Sequence, residues 1–293
     1  MHRHRLRRER WTQITAALLA NGWLPGFLQG RIYDGPTKAV CVPVLNCYSC
    51  PGALGACPIG ALQAVLGRGT VPFYVLGTLV AFGVLLGRAV CGLLCPFGLV
   101  QDLLHKIPLR KRALPQRFDR ALRWLKYGVL AVLVLALPLG VALSQGMAPP
   151  YFCEYLCPAG TLEAALPLLA ANAPLRALAG ALFSWKLAIL LLIVALAVIL
   201  PRPFCRYLCP LGAFYSLFNR VSFYQLSVDQ SRCVDCGHCA AACPMSVDPH
   251  QEAKSPECIR CGACRTACPT QAIQLGFCAG EKDAPPSFCD DAG

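Results

Sequence analysis

The sequence predicts an α-helical membrane domain of about four spans, built as two similar two-span halves, followed by a small α+β cysteine-rich module. Three observations carry this. Of the 293 residues 56% are hydrophobic and only 14% charged, with a mean hydropathy of +0.51; soluble domains carry about 25% charged residues, so much of this chain belongs in lipid. The tetrapeptide Cys-Pro-x-Gly recurs four times among apolar segments. Two long cysteine runs of identical spacing then follow near the C-terminus.

Four apolar segments are the expected spans: 12–28, 71–90, 121–143 and 183–200. Each approaches the roughly 20 residues needed to cross a bilayer. The first is the weakest, interrupted by Asn21, Gly22 and Pro25. Basic residues set the orientation. The N-terminus, His2-Arg-His-Arg-Leu-Arg-Arg-Glu-Arg, and the connection 102–120, with Lys106, Arg110, Lys111, Arg112, Arg117 and Arg120, are rich in them. Residues 29–70 hold only Arg31, Lys38 and Arg68, and 144–182 only Arg176. Both termini and the middle connection are therefore expected in the cytoplasm of a bacterial or archaeal cell, with two connections outside. The net charge of +12 flanks apolar segments in this way and does not form a nucleic-acid face. No small-x-small cleavage site follows the first apolar segment, so a retained anchor is expected rather than a signal peptide.

The C-terminal runs are Cys233-Val-Asp-Cys-Gly-His-Cys-Ala-Ala-Ala-Cys-Pro and Cys258-Ile-Arg-Cys-Gly-Ala-Cys-Arg-Thr-Ala-Cys-Pro. Both spell C-x2-C-x2-C-x3-C-P, the bacterial ferredoxin ligand set, and two copies imply two [4Fe–4S] clusters. The fourth cysteine of each run serves the other cluster, which assigns Cys233, Cys236, Cys239 and Cys268 to one and Cys258, Cys261, Cys264 and Cys243 to the second. Zinc and a disulfide framework are the alternatives, and four cysteines ending in Cys-Pro suit neither well. This module is expected over 219–279, after a membrane domain over 1–218 and before a loose polar tail over 280–293.

The four Cys-Pro-x-Gly copies read Cys57-Pro-Ile-Gly-Ala-Leu-Gln, Cys95-Pro-Phe-Gly-Leu-Val-Gln, Cys157-Pro-Ala-Gly-Thr-Leu-Glu and Cys209-Pro-Leu-Gly-Ala-Phe-Tyr. Three have a second cysteine four residues upstream, Cys91, Cys153 and Cys205; the first has Cys47 and Cys50 instead. On the expected topology each half runs inside, span, outer copy, span, inner copy. Halves that run in the same direction suit a pseudo-twofold axis along the membrane normal. Cys91 and Cys95 would then meet Cys205 and Cys209 on the inner side, while Cys153 and Cys157 would meet two of Cys47, Cys50 and Cys57 on the outer side. Four thiolates are what a further [4Fe–4S] cluster needs. Proline starts a helix well, glycine permits close approach, and a helix N-terminus favours an anionic cluster. Buried structural cysteines are the alternative for both sets, and disulfides for the outer one. Cys41 is the spare outer cysteine: a ligand, a disulfide partner or inert. Cys278 and Cys289 fit no ligand spacing and read as free thiols.

Other residues narrow the chemistry. None of the five histidines lies in an expected span, which argues against b-type haem, and no C-x-x-C-H is present for c-type haem. No G-x-G-x-x-G opens a helix after a strand, so nicotinamide binding is not indicated. His238 reads as a solvated loop residue. His105 and Asp102 read as an interfacial polar cluster or a proton relay beside a quinone. Trp11, Trp23, Trp124 and Trp185 suit interfacial anchors, and Lys126 and Lys186 suit snorkelling near span ends. Arg88 and Arg206 adjoin inner cysteines, where they offset cluster charge or simply follow the positive-inside bias.

On these motifs the chain resembles the polyferredoxin-like membrane [4Fe–4S] proteins, the family of the membrane quinol dehydrogenase component of periplasmic nitrate reductase systems. The resemblance runs through most of 71–275: two inner C-x3-C-P motifs, Cys91/Cys95 and Cys205/Cys209, and eight ferredoxin-type cysteines. The membrane part of nitrous oxide reductase maturation systems is similar, but its extracytoplasmic flavin domain has no counterpart here. The outer set, Asn46-Cys-Tyr-Ser-Cys-Pro-Gly-Ala-Leu-Gly-Ala-Cys-Pro and Phe152-Cys-Glu-Tyr-Leu-Cys-Pro, departs from the nitrate-system pattern. The resemblance implies an electron-transfer component of an oxidoreductase system. The leading expectation is a conduit between a cytoplasmic redox partner and an extracytoplasmic one. The alternatives are a quinol or quinone oxidoreductase subunit using only inner clusters, and a redox sensor or metallo-assembly factor.

Overall fold

Each Cys-Pro-x-Gly unit starts a helix: the cysteine has extended backbone and the proline, lacking an N–H, occupies the first helical position. The computed structural model describes residues 2–109, 111, 114–278 and 289–290; Arg110, Arg112 and the expected tail, apart from 289–290, lie outside them. In the first part of the chain α1 (His2–Ala20) and the short α2 (Pro25–Gln29) precede α3 (Pro58–Leu66), α4 (Phe73–Leu86), α5 (Ala89–Leu93) and α6 (Pro96–His105). In the second, α7 (Gln116–Gly128) runs through π-helical residues Val129–Ala136 into α8 (Leu137–Gln145). A π turn at Phe152–Leu156 leads to α9 (Pro158–Gly160), which continues through Thr161–Ala165 into α10 (Leu166–Ala171); α11 (Ala173–Ala177), α12 (Ala181–Ile199), α13 (Pro203–Tyr207) and α14 (Pro210–Phe218) follow. The π segments at 129–136 and 161–165 each run up to a proline, Pro138 and Pro167. A proline removes an N–H and crowds the preceding turn, and a wider turn relieves both.

The same order occurs twice: a first helix, a Cys-Pro helix, an apolar helix, a short cysteine helix and a second Cys-Pro helix. Contacts repeat as well. α1 packs on α5 and α6, as α7 packs on α13 and α14; α6 packs on α12, as α14 packs on α4.

The apolar segments differ from the expected four spans. Arg117–Gln145 and Ala181–Ile199 are long and apolar enough to cross a membrane. Residues 12–28 do not form one helix, because α1 stops at Ala20 and Asn21 folds its amide back onto the Ala17 carbonyl at 3.1 Å. The 71–90 segment is helical only over its 14 residues Phe73–Leu86. At 1.5 Å per residue that is about 21 Å, short of a hydrocarbon core of about 30 Å. It ends at Gly87, whose φ of 54° continues no helix.

The C-terminal module is a three-stranded antiparallel sheet carrying two short helices. Strand β1 (Tyr224–Val228) pairs with β2 (Ile273–Cys278) from Tyr224 opposite Phe277 to Val228 opposite Ile273. Strand β3 (Cys289–Asp290) extends the sheet beyond β2, with the backbones of Cys278 and Cys289 in register; their side chains lie outside the description. Between β1 and β2 lie α15 (His238–Ala241) and α16 (Ala263–Ala267). The two cysteine loops are conformational repeats. Asp235 and Arg260, each two residues after the first cysteine, have φ of 49° and 52°, and Gly237 and Gly262 have φ of 70° and 73°.

A buried ionic network joins module and helices. Glu257 meets Arg88 at 2.8 Å and Lys126 at 2.5 Å, both cations having fully buried side chains. Lys126 therefore does not snorkel: its ammonium turns inward to a carboxylate. Lys186 also has a protein partner, the Cys153 carbonyl at 3.2 Å. Arg260 reaches back to the Leu86 carbonyl at 3.0 Å and the Asn219 carbonyl at 2.6 Å. Removing one partner of a buried ion pair leaves a charge uncompensated and costs about 3–5 kcal/mol. Glu257→Ala should accordingly lower the unfolding midpoint of detergent-solubilised protein sharply. The triple change Arg88→Met, Lys126→Met, Glu257→Leu should recover much of the loss, as followed by thermal circular dichroism.

Candidate cluster sites

The Cys-Pro-x-Gly unit folds as a capped helix start. In the last copy the backbone N–H of Gly212 bonds Cys209 Sγ at 3.4 Å, so that this cysteine is a side-chain N-cap. In the other three the N–H groups of Gly60, Gly98 and Gly160 face Cys57, Cys95 and Cys157 and favour their thiolates without closing a capping bond. The glycine also leaves room: a Cβ on Gly60 would lie 3.7 Å from Cys153 Sγ, and one on Gly160 would lie 3.6 Å from Cys47 Sγ.

Four thiol quartets result. Cys91, Cys95, Cys205 and Cys209 face one another at the junction of α5, α6, α13 and α14, close enough that the first three all raise the Cys209 thiol electrostatically. Phe97 and Phe204 pack edge-to-face beside them, with ring centroids 5.2 Å apart. Cys47, Cys57, Cys153 and Cys157 form the second quartet and line one cavity with Gly60, Gly160 and Leu45. Of the outer candidates, Cys50 is not brought in; its Sγ faces Asn21 Oδ1 at 3.4 Å. Cys41 is buried in a bridge to Ala56, with its N–H toward Tyr74 Oη at 3.3 Å. In the module, Cys243, Cys258, Cys261 and Cys264 line an apolar cavity with Leu226, Pro244 and Ile259. Cys233, Cys236, Cys239 and Cys268 line another with His250 and Asp248, and Cys236 is exposed. The crossover between the two runs is thus present in the side-chain grouping.

These sites fit iron–sulfur clusters by donor chemistry. Burial pushes the helical-region thiols up, Cys47 and Cys205 to about 11. Four buried neutral thiols side by side have no use for the backbone N–H groups aimed at their sulfurs; four metal-bound thiolates do. None of the 18 cysteines whose side chains are described is in a disulfide.

The quartets lie in series. The segment Pro43–Cys47 runs between the two in the helical region: the Leu45 N–H faces Cys95, the next N–H, of Asn46, faces Cys57, and Cys47 belongs to the outer set. Consecutive amides of one chain therefore point at both quartets. Tyr215, fully buried, donates to the Pro43 carbonyl at 2.9 Å in the same seam. On the other side, Arg202 donates to the Cys91 carbonyl at 2.8 Å and its charge acts on Cys205 and Cys261. Gly92 is pressed against the second module loop, where a Cβ would fall 2.3 Å from the Ile259 carbonyl.

Several residues were not visible as functional in the sequence. Arg202, with φ of 47°, and its partner Asp102 at 2.7 Å brace the inner quartet; Asp102 is thereby tied to an arginine rather than to His105, whose Nδ1 meets the Ala197 carbonyl at 3.2 Å. Arg88 bonds the Cys205 carbonyl at 3.2 Å, so its place has a structural reason beyond charge bias. His238 is exposed, while His250, not singled out in the sequence, meets Cys233 Sγ at 3.5 Å.

The 4Fe-4S binding domain family matches residues 55–74, 68–115, 128–167 and 183–225, and the 4Fe-4S dicluster domain family matches 225–269. An uncharacterized protein of Methanocaldococcus jannaschii is 33% identical over 196 residues, covering 65% of this chain and 74% of its own. The methylamine utilization ferredoxin-type protein MauN of Paracoccus denitrificans is 30% identical over 167 residues, 56% of this chain and 50% of its own. The regulatory protein NosR of Stutzerimonas stutzeri is 28% identical over 177 residues, 58% of this chain and 22% of its own. The chain thus spans half the length of MauN and less of NosR. No solved structure matches.

The side-chain grouping separates Cys47 from Cys50. Cys50→Ser should leave the iron content of anaerobically purified protein unchanged, whereas Cys47→Ser should lower it by up to about four irons per chain. Equal losses from both would break this assignment.

Proposed function

We propose, from the premise that this chain belongs to the polyferredoxin-like family of 4Fe-4S ferredoxin-type electron-transport proteins, that it is a membrane electron conduit with four cluster sites in series. The observation that carries the reading is the order of the quartets. Exposed Cys236 marks the end open to a soluble partner, and the outer quartet lines a cavity at the other end. One buried core holds the whole inner quartet with Cys57 and Cys157, and Cys153 of the outer quartet and Cys243 and Cys261 of the second module quartet pack against it. Bound [4Fe–4S] clusters supply one-electron storage at each step. The chain's own residues hold the thiolates, exclude water with Phe97, Phe204 and Ile59, and brace the module against the helices through Arg88, Arg202 and Glu257.

In this reading Arg117–Gln145 and Ala181–Ile199 cross the bilayer, the repeated elements are related by a pseudo-twofold axis, and the termini and module are cytoplasmic. The repeated contacts of α6 with α12 and of α14 with α4 support the axis. The basic connection carrying Lys106, Lys111, Arg117 and Arg120 supports the orientation.

One observation favours a second reading, quinol or quinone oxidoreduction at the inner side. A cavity of about 1140 Å³ opens where α12 ends, lined by Ile199, Leu200, Tyr207, Arg206, His105 and Cys243. It combines apolar walls, polar groups and a cluster thiol. Turnover of the purified protein with a quinol analogue tests it.

The conduit requires about sixteen irons and as many sulfides per chain; about eight would sink it. Cys153→Ser with Cys157→Ser should remove one EPR-active centre and leave the others. If the spectrum of that variant is unchanged, the outer thiols are structural.

A further inference from the structure

The sixth residue after each Cys-Pro-x-Gly cysteine is Gln63, Gln101, Glu163 or Tyr215. The two glutamines make the same arrangement at different quartets. Gln101 Nε2 donates to Cys205 Sγ at 3.0 Å, and its Oε1 accepts from the Phe204 N–H at 3.1 Å. Gln63 Nε2 donates to Cys153 Sγ at 3.3 Å, and its Oε1 accepts from the Phe152 N–H at 2.9 Å. In each case Nε2 also donates one turn back, to Phe97 O at 3.4 Å or Ile59 O at 3.2 Å. Both side chains are fully buried.

This arrangement fixes which end of the amide is which. A backbone N–H can only donate, so oxygen must face Phe204 and Phe152. The NH2 group then faces sulfur, with its second hydrogen on the helix carbonyl. Both hydrogens are used, and no water competes. Each quartet so receives a glutamine N–H···S bond sent from the first half of the chain to a cysteine of the second. The other two positions send none: Glu163 accepts from the Cys47 N–H at 2.8 Å, and Tyr215 donates to Pro43.

We infer that Gln101 and Gln63 set the reduction potentials of the inner and outer centres, each through a single N–H···S bond across the half-to-half seam. The inference rests on the four-cluster reading. Reduction adds negative charge to cluster and thiolates, and a fixed donor in a dry site stabilises the reduced form. Losing it lowers the potential of that centre alone.

The test is an EPR-monitored redox titration of Gln101→Leu and Gln63→Leu in the full-length protein, with iron and sulfide measured on the same samples. Gln101→Leu should shift the inner centre about tenfold toward oxidised at a fixed potential, about 59 mV for one electron, and leave the outer centre in place. Gln63→Leu should do the converse. Should either variant lose its centre, Gln101→Glu and Gln63→Glu carry the test. These keep the acceptor for the phenylalanine N–H and, titrated at a pH where the carboxyl is ionised, carry no donor, and there their midpoints must also fall. Unmoved midpoints at full iron content, or both centres moving together, would overturn the inference. A wild-type protein with about eight irons would overturn the four-cluster reading instead.

Discussion

Each quartet of the helical region takes two thiols from before residue 100 and two from after residue 150, and the rest of the fold is organised around closing those two gaps. Cys91 and Cys95 come from one half and Cys205 and Cys209 from the other; Cys47 and Cys57 meet Cys153 and Cys157 in the same way. Neither half can complete a site. The halves are accordingly cross-braced at several levels, by the glutamine bonds to Cys153 and Cys205, by the bond of Arg202 to Cys91 O, and by the packing of each inner Cys-Pro helix on the other half's apolar helix. Long-range pairing of this kind closes large loops before it is rewarded. Metal held by both halves would add directly to folding free energy.

The ferredoxin-type module is held by a different interaction, one that hydrophobic packing alone would not supply. Glu257, one residue before Cys258, sits between Arg88 and Lys126, and Asn219 clasps the carbonyls of Ser255 at 2.8 Å and Cys258 at 2.7 Å. A buried carboxylate between two buried cations tolerates little displacement, since every added ångström weakens an attraction that offsets a desolvation cost of several kcal/mol per ion. That intolerance fixes the position of the second module quartet relative to Cys91 and Cys205. In the proposed conduit position would matter more here than added stability, because the junction would keep redox sites near one another.

The sequence was most legible where spacing alone determines chemistry. The ferredoxin crossover, with Cys243 and Cys268 exchanged between runs, follows from C-x2-C-x2-C-x3-C-P because a tight loop presents only three thiols to one side. The inner pairing was legible because the motif repeats. Helix length was not: hydropathy over 71–90 is continuous, yet Gly87 stops α4 and the chain turns to present Cys91. Nor was the choice between Cys47 and Cys50, three residues apart, which depends on Asn21 drawing Cys50 away. Lys126 looked like a residue near a span end because no local feature announces Glu257, 131 residues later. The glutamines were in plain view within the repeats, but their meaning lies in partners about 90 and 104 residues away.

The closeness of the two helical-region quartets reshapes how a conduit would work. Leu45 and Asn46 are adjacent, and their N–H groups face Cys95 and Cys57. The outer quartet is therefore a neighbour of the inner one. From Cys57 the chain leaves through α3, nine residues or about 13 Å, and returns through the 14 residues of α4 to Cys91. Cys157 likewise precedes the run into α10, before α12 returns to Cys205. In the proposed membrane setting both outer cysteine turns would be re-entrant starts, with irregular backbone buried inside protein, the one setting in which a hydrocarbon layer tolerates it. The cavity beside the outer quartet is walled in part by small residues such as Ala61, Ala64 and Ala164. Small side chains there leave a way toward the thiols that larger ones would seal. In the proposed conduit that opening would be the outer terminal of the path, and the depth of Cys157, rather than the length of any span, would limit transfer.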